Sequence, residues 1–165
     1  MTLVDDAIIH KIHACATGEL PWETALQPIV GLIEAKCAGV VRHSIAPVGA
    51  EVLAQIDVDP KTEAACVREY VHKNPVLSCL SAMPLGYITY GSGAVDERHF
   101  LASSFYNDWQ VPAGYADNLA ISIARRNGEF VLLSLPSDLS RGPYTPDDMA
   151  IIRPHVQHLV RSFNI

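Results

Sequence analysis

The amino-acid sequence predicts an α+β domain in which helices flank a mainly antiparallel sheet of about five strands. Apolar residues recur at helical spacing at both ends of the chain, and short alternating runs lie between them. The dipeptide Asn127-Gly128 joins two such runs and suits the positive φ angles of a type I′ hairpin turn. With 165 residues, 49% of them apolar, the chain is expected to fold as one domain over residues 1–165.

Two helices are predicted before the first strand. One covers residues 2–17, with Thr2 as its cap and Gly18 as its stop, and it carries an apolar stripe. The other begins at Pro21 and continues its apolar spacing to Gly39, with a kink or a division expected at Pro28. Both stripes are typical of helices that pack on a core.

A strand hairpin and a third helix come next. Strands are predicted over residues 40–45 and 51–58, and the second strand is expected to place Val52, Ala54, Ile56 and Val58 on one face. Asp59-Pro60 is a cap followed by a first-turn proline, which predicts a helix. A short strand over residues 87–90 is then closed by glycines.

An aromatic-rich helix and a second hairpin occupy residues 96–135. The helix carries Phe100, Phe105, Tyr106 and Trp109 and stops at residues 111–114. After it, Leu119, Ile121 and Ile123 alternate with small or polar residues, as expected for a strand with one buried face. Residues 130–135 are almost continuously apolar, which suits a central strand covered on both faces.

The last predicted helix begins at Thr145-Pro146 and carries an apolar seam with heptad spacing. Burial of this seam against the sheet of the same chain and burial against a second copy of the chain both fit the spacing. We expect a homodimer in which this helix contributes to the interface. The seam consists of Met149, Ile152, Val156, Leu159 and Phe163.

A small-molecule pocket is predicted beside the aromatic helix. Amphipathic rings next to a carboxylate can orient a polar ligand, which favours Tyr106, Asp108 and Trp109 as ligand-binding residues. Tyr87 or Tyr90, on the glycine-bounded strand, is expected on the opposite wall. Plain core packing of the aromatic side chains is the alternative, and a cavity of several hundred Å³ would favour a pocket.

Charge, cysteine usage and the lack of catalytic motifs argue against several classes of function. The formal net charge is −6 and no run of Lys or Arg occurs, so direct nucleic-acid contact by this chain is not expected. Four scattered cysteines and a start without an export signal favour a reduced cytoplasmic protein, and no apolar run is long enough to span a membrane. Gly91-Ser92-Gly93 is not a nucleophile elbow, so we expect no enzyme and assign no catalytic residue or cofactor.

Histidine pairs provide the main suggestion of a metal site. His10-x-x-His13 and His155-x-x-His158 each place two imidazoles on neighbouring helical positions. A closed zinc site needs about four ligands, and no second cluster has a suitable spacing. We therefore expect exposed or partly buried histidines without a metal.

Three stretches resemble the N-terminal sensory region of bacterial LuxR-type transcription regulators. They are Ser104-Phe105-Tyr106-Asn107-Asp108 followed by Pro112, Gly142-Pro143-Tyr144-Thr145-Pro146-Asp147-Asp148, and Ile152-Arg153-Pro154-His155-Val156. The helix after Trp22 also suits this family. The order of elements is similar to that of GAF domains, with PAS domains as the nearest relatives.

The resemblance implies a GAF-like, PAS-related sensor that works as a dimer and controls an attached helix-turn-helix. This chain ends at Ile165, so we expect the DNA-binding domain to lie outside it. The resemblance names no ligand and supplies no binding residues. Two other functions fit the residues: a dimerisation module whose aromatic side chains fill the core without a ligand, and a small cytoplasmic enzyme.

Overall fold

The computed structural model of the protein describes residues 5–163, with the side chain of Ser92 excepted. The helices and strands in chain order are α1 (Asp6–Ala16), α2 (Glu23–Leu32), β1 (Ala38–Ile45), β2 (Val48–Ile56), α3 (Pro60–Arg68), α4 (Leu77–Ala82), β3 (Ile88–Tyr90), α5 (Gly91–Ala94), α6 (Glu97–Ala102), β4 (Tyr115–Arg126), β5 (Glu129–Asp138) and α7 (Pro146–Phe163). A 3₁₀ turn, Tyr70–Lys73, follows α3, and a π-helical segment, Phe105–Gln110, follows α6.

The strands form one antiparallel sheet with the order β2-β1-β5-β4-β3. The five strands and the flanking helices confirm the predicted α+β class. Asn127 and Gly128 take φ angles of 41° and 80°, as the predicted turn between β4 and β5 requires. Within residues 5–163, no helix is long and apolar enough to cross a membrane.

Each face of the sheet is covered by a different set of helices. We call the side under α1, α2 and α7 the three-helix face, and the side under α3, α4, α6 and the π-helical segment the cavity face. Leu119, Ile121 and Ile123 of β4 are buried on the three-helix face, whereas Ala120 packs into the core of the cavity face. The prediction that β4 has only one buried face is therefore wrong, because helices cover both sides of the sheet.

The first two helices differ from their predicted bounds. The side chain of Asp5 accepts hydrogen bonds from the backbone amides of Ala7 and Ile8 and caps α1, while the predicted cap Thr2 lies outside the described residues. Helix α2 contains Pro28 but ends at Leu32, well before Gly39. Glu34 turns the chain there with a φ of 53°, so Cys37 leads into β1 and is not part of a helical stripe.

A bulge changes the side-chain pattern of β2. Val40 pairs with Ala54 but Val41 pairs with Val52, so Leu53 is an extra residue in β2. As a result Val52 lines the cavity face, while Ala54 is buried in the core of the three-helix face. The prediction that these side chains share one face is wrong for this reason.

The apolar seam of α7 lies inside the domain. Ile152, Val156 and Leu159 are buried in the core of the three-helix face, and the ring of Phe163 stacks on Trp22 at 4.3 Å. The sheet and the N-terminal helices of the same chain thus cover the residues that were assigned to a dimer interface. This corrects the role expected for the seam, because a side chain fully buried in its own domain is not available to a partner.

Candidate functional site

A cavity of about 140 Å³ lies between the cavity face of the sheet and the helices that cover it. This volume is below the several hundred Å³ that would favour a ligand pocket over plain core packing, and it is close to that of an apolar protein cavity that binds benzene. The side chains around it come from β1, β2, β4 and β5 on one side and from α3, α4 and the π-helical segment on the other.

The floor of the cavity follows from the pairing of β1 with β5. Gly39, Val41 and His43 alternate along β1, so they share one face of the sheet. Ser134 and Leu132 of β5 pair with Gly39 and Val41 and line the same cavity. The floor is therefore built mainly from small and aliphatic residues.

Gly39 leaves part of this floor bare. A Cβ atom placed on Gly39 would meet only Cγ2 of Val41 within 4 Å, at an ordinary contact distance of 3.6 Å. Its backbone has no positive φ angle that would demand a glycine. The absence of a side chain at this position opens space above β1.

Helix α3 forms a loosely packed roof. Thr62, Glu63, Cys66 and Val67 line the cavity, yet no residue of α3 is fully buried. The indole Nε1–H of Trp109 donates a hydrogen bond of 2.9 Å to the carbonyl oxygen of Thr62 and so ties the π-helical segment to α3.

Aromatic rings close one end of the cavity. The rings of Phe105 and Trp109 lie 5.0 Å apart, and the ring of Tyr115 meets that of Trp109 edge-on at 5.7 Å. The thiol of Cys37 donates to the Tyr115 hydroxyl over 3.5 Å, and burial raises the pKa of that phenol. These contacts fix the rings as an apolar wall.

Most other polar groups around the cavity already have partners in the chain. The hydroxyl of Ser134 donates to Oδ1 of Asn118 over 2.9 Å, and the side-chain amide of Gln110 donates to the carbonyl oxygen of Ala116 over 3.2 Å. Burial raises the pKa of the Cys66 thiol to about 12, so this cysteine stays protonated and is a poor nucleophile.

His43 differs from these residues. Its ring stacks on Phe130 at 5.2 Å with an angle of 17° between the planes, and Nδ1 is buried without a hydrogen-bond partner. Burial lowers the pKa of the imidazole to about 4, so the ring is neutral near pH 7. A neutral imidazole offers one donor and one acceptor nitrogen.

A smaller cavity of about 30 Å³ adjoins the first. Five of the described residues line both of them: Asn74, Leu80, Phe105, Gln110 and Asn118. The remaining walls of the smaller cavity come from Val76, Phe100 and Ala120, and from Thr89 and Gly91 near the end of β3.

Only Trp109 among the five predicted site residues lines the main cavity. Tyr106, its neighbour in the π-helical segment, packs against Phe100 at 5.4 Å within the core of the cavity face. Asp108 is exposed on the outer side of this segment. A π-helical turn that follows a break at Ser103 points these side chains in directions that ordinary helical spacing does not predict.

The two tyrosines expected on the opposite wall are placed elsewhere. Tyr90 pairs with Leu119 in the sheet, and it packs with Leu119 on the three-helix face. Tyr87 precedes β3 and is 47% exposed. The sheet therefore separates Tyr90 from the cavity, because neighbouring residues on paired strands share a face.

The cavity residues of β1 were missed by sequence reasoning. The alternation of Cys37, Gly39, Val41 and His43 was the available signal, since it places a bare glycine and a titratable ring on one face. The predicted helix over Cys37 hid the start of this pattern.

The histidine pairs on α1 and α7 are rearranged by the fold. His13 and His158 meet across these helices, with 3.1 Å between Nε2 and Nδ1. His155 instead accepts a hydrogen bond from the backbone amide of Asp5. Among the described residues, no group of three or more histidine, cysteine or acidic side chains is arranged to hold a metal ion.

Solved structures share this fold at low sequence identity. No protein-family model and no curated protein matches the sequence. The ligand-binding domain of VqsR from Pseudomonas aeruginosa superposes with a TM-score of 0.78 at 12% identity, over 96% of this chain and 93% of that one. The N-acylhomoserine lactone-dependent LuxR-family factor CepR2 from Burkholderia cenocepacia gives a TM-score of 0.63 at 15% identity, over 96% and 92% of the two chains.

A GAF domain/HD domain protein from Geobacter sulfurreducens matches with a TM-score of 0.53 and 15% identity, over 99% of this chain and 95% of that one. The chain thus has the fold shared by LuxR-family ligand-binding domains and GAF domains, as its sequence motifs predict.

Proposed function

We propose that this chain is the sensory domain of a bacterial transcription regulator. It binds a small molecule in the cavity between the sheet and α3, and its ligand state passes to a helix-turn-helix domain joined after α7. The observation that carries this proposal is the cavity itself, which lies beneath a helix that has no fully buried residue.

The two LuxR-family neighbours support the choice of function. One is named a ligand-binding domain and the other a lactone-dependent transcription factor, and each aligns with nearly the whole of this chain. We assign Trp109 to the ligand site, together with Gly39, Val41 and His43 of β1. The dimerisation module without a ligand is the weaker interpretation, because a packed core does not need a bare glycine beside a cavity.

Helix α3 provides the part that responds to the ligand. Cys66 and Val67 face the cavity but are only half-buried, so a molecule in the cavity would cover apolar surface that the empty protein leaves accessible. Burial of apolar surface contributes about 25 cal/mol per Å². Ligand binding therefore stabilises α3 against the sheet.

The path to the output domain crosses the sheet. The cavity and α7 lie on opposite faces, and β5 connects them because Leu132 lines the cavity while the next residue, Leu133, is buried in the core of the three-helix face. That core also contains Ile152 and Val156 of α7. A shift of β5 on ligand binding would reach α7 through these contacts.

A homodimer remains part of the proposal, with a changed contact surface. Since the seam of α7 is buried, the helix can contribute to a dimer interface only through its outward-facing side chains. One of these is Ile151, which is 36% exposed. Sedimentation velocity over a range of concentrations tests this. A dimer that Ile151→Asp converts to a folded monomer is expected, and a monomeric wild type at every concentration would contradict it.

The ligand site is tested by filling the cavity. A library of small metabolites is screened for thermal stabilisation of the wild type and of Gly39→Leu, which places a side chain in the space above β1. Gly31→Leu is the matched control, because its Cβ meets nothing within 4 Å and Gly31 is exposed on α2. Compounds that stabilise the wild type and the control but not Gly39→Leu are expected.

Two results of this screen would count against the proposed site. Equal stabilisation of all three proteins would place the ligand outside the cavity. A screen without any stabilising compound would favour the dimerisation module.

A further inference from the structure

The geometry of the cavity narrows the class of ligand, and this inference rests on the proposed function. We infer that the cavity selects a slender, uncharged molecule with an apolar body and a neutral polar end, such as a hydroxyl, that hydrogen-bonds to the imidazole of His43. Nδ1 of His43 is buried and has no hydrogen-bond partner among the described residues.

The shape of the cavity favours a slender ligand. Its floor extends from Gly39 to His43, which is about 13 Å at the usual rise of a strand. If the volume of about 140 Å³ follows that length, it forms a narrow trough. We infer that such a trough accepts an unbranched chain more readily than bulky fused rings.

The charge of the lining favours an uncharged ligand. Among the described residues that line the cavity, none is Lys or Arg, and Glu63 is the only carboxylate. A buried anion would therefore have no cationic partner, and burial of an unpaired charge is strongly unfavourable. His43 does not supply a positive charge near neutral pH, because burial lowers its pKa to about 4.

The polar end is assigned to His43 because three other polar side chains nearby already donate hydrogen bonds. The indole of Trp109, the hydroxyl of Ser134 and the amide of Gln110 each donate within the chain. A buried polar atom without a partner is destabilising, and a ligand that bonds to the imidazole removes this penalty. A hydroxyl both donates and accepts, so it satisfies either tautomer of the ring.

Gln55 offers the main competing contact. It lines the other end of the floor, opposite Gly39 on β1, and its side chain makes no hydrogen bond to a described residue. It is less suited than His43, because its flexible amide is part of the edge strand β2, where water can reach it. The binding experiment below distinguishes His43 from Gln55 as the partner of the polar end.

Isothermal titration calorimetry with matched probes tests the inference. The probes are 1-hexanol, 1-fluorohexane, hexanoate and hexylammonium, which share one chain and differ in the polar end. Wild-type protein is expected to bind 1-hexanol in a saturable manner and to bind both ions at least about tenfold more weakly. The fluoro compound, which lacks the hydroxyl, is expected to bind about fivefold more weakly than the alcohol.

Variants then locate the hydroxyl. His43→Leu should remove the preference for 1-hexanol over 1-fluorohexane while the fluoro compound still binds, and His43→Gln should retain that preference. Gln55→Leu tests the competing contact and should retain the preference for 1-hexanol. A general loss of structure would weaken both probes equally, so the ratio of the two affinities separates a direct contact from a folding defect.

Each result has one consequence. Preference for an ion, or loss of the hydroxyl preference in Gln55→Leu instead of His43→Leu, overturns the inference and leaves the proposed ligand site intact. Binding that persists in Gly39→Leu contradicts the cavity as the site and overturns both. Wild-type protein that binds none of the four probes overturns the inferred ligand class, and the metabolite screen then decides the proposed function separately.

Discussion

His43 couples the stability of the domain to pH. The folded protein holds its pKa at about 4 by burial, whereas an unfolded chain restores a value near 6.5. Between these values the unfolded chain binds more protons, so stability that is present above pH 6.5 is lost as the pH falls toward 4. The shift corresponds to about 3 kcal/mol at most.

We predict that His43→Leu abolishes this part of the pH dependence. Urea unfolding at several pH values between about 4 and 7 gives the free energy of unfolding of both proteins. The wild type should lose about 2–3 kcal/mol more than the variant over this interval. Parallel curves for the two proteins would show that folding does not lower the pKa of His43. His99→Leu, at an exposed position on α6, is the control.

Gly39 is a residue whose replacement should stabilise the protein. It lies in the interior of β1 without a positive φ angle, and an added methyl group has room there. Gly39→Ala is predicted to raise the free energy of unfolding by about 0.5–1 kcal/mol, because alanine restricts the unfolded chain. Thermal and urea unfolding measure this change.

A second glycine gives the matched comparison. Gly114 has a φ of 83°, and a Cβ atom there would lie 2.7 Å from Nζ of Lys36. Gly114→Ala should therefore lower the free energy of unfolding by about 1 kcal/mol. Stabilisation by both substitutions would mean that the backbone conformation at these positions differs from the one described.

At the scale of elements, α7 is part of the core. Thr145 and Asp148 interact at the start of this helix: the carboxylate of Asp148 accepts hydrogen bonds from the amide and the hydroxyl of Thr145 at 2.8 and 3.1 Å. Arg141 adds an ion pair to Asp148 and donates to the carbonyl oxygen of Ile33 at the end of α2. The start of α7 is thus fixed to the N-terminal helices.

We predict that a charge in the seam of α7 unfolds the domain. Val156→Asp buries an unpaired carboxylate in the core of the three-helix face and should cost more than about 3 kcal/mol. Ile151→Asp, on the exposed side of the same helix, should leave the fold intact. Far-ultraviolet circular dichroism and urea unfolding compare the two. A folded Val156→Asp protein would restore the seam as a candidate dimer interface.

Helix α3 contrasts with α7 in its packing. Asp59 caps α3 through its hydrogen bond to the amide of Thr62, but the helix has no fully buried residue. We predict that amides of α3 exchange with deuterium at least about tenfold faster than those of α7, because local opening of α3 exposes little apolar surface. Exchange monitored by mass spectrometry tests this, and equal protection would argue against α3 as the responsive element.

At the scale of the whole molecule, the two helix layers differ in how well they fill their side of the sheet. The three-helix face holds one continuous core, whereas the other face combines a smaller core with the cavity. The well-packed layer ends in α7, and the loosely packed layer holds the proposed ligand site. In the proposed function, this division lets one side of the domain adjust to a ligand while the other keeps its structure.

The charge of the whole chain leads to a prediction about DNA. With a formal net charge of −6, these 165 residues should show no sequence-selective DNA binding in a gel-shift titration at low salt. A basic helix-turn-helix peptide of similar length serves as the positive control. A salt-sensitive, sequence-selective complex would mean that the chain contacts DNA itself.

Local interactions explain what the sequence predicted well. The turn at Asn127-Gly128, the cap at Asp59 and the start of α7 at Thr145-Pro146 were predicted from neighbouring residues, and the structure has all three. The order of helices and strands follows from such signals, since backbone dihedral preferences and capping hydrogen bonds act within a few residues. The fold class could therefore be predicted from the sequence alone.

Long-range packing decided the rest. The seam of α7 fits a core and a dimer equally well as a pattern, and only the position of the sheet assigns it to the core. The bulge at Leu53, the placement of Tyr90 on the three-helix face and the cavity above Gly39 likewise depend on strands paired far apart in the chain. Periodicity reports which residues share a face, but only the tertiary structure determines what that face meets.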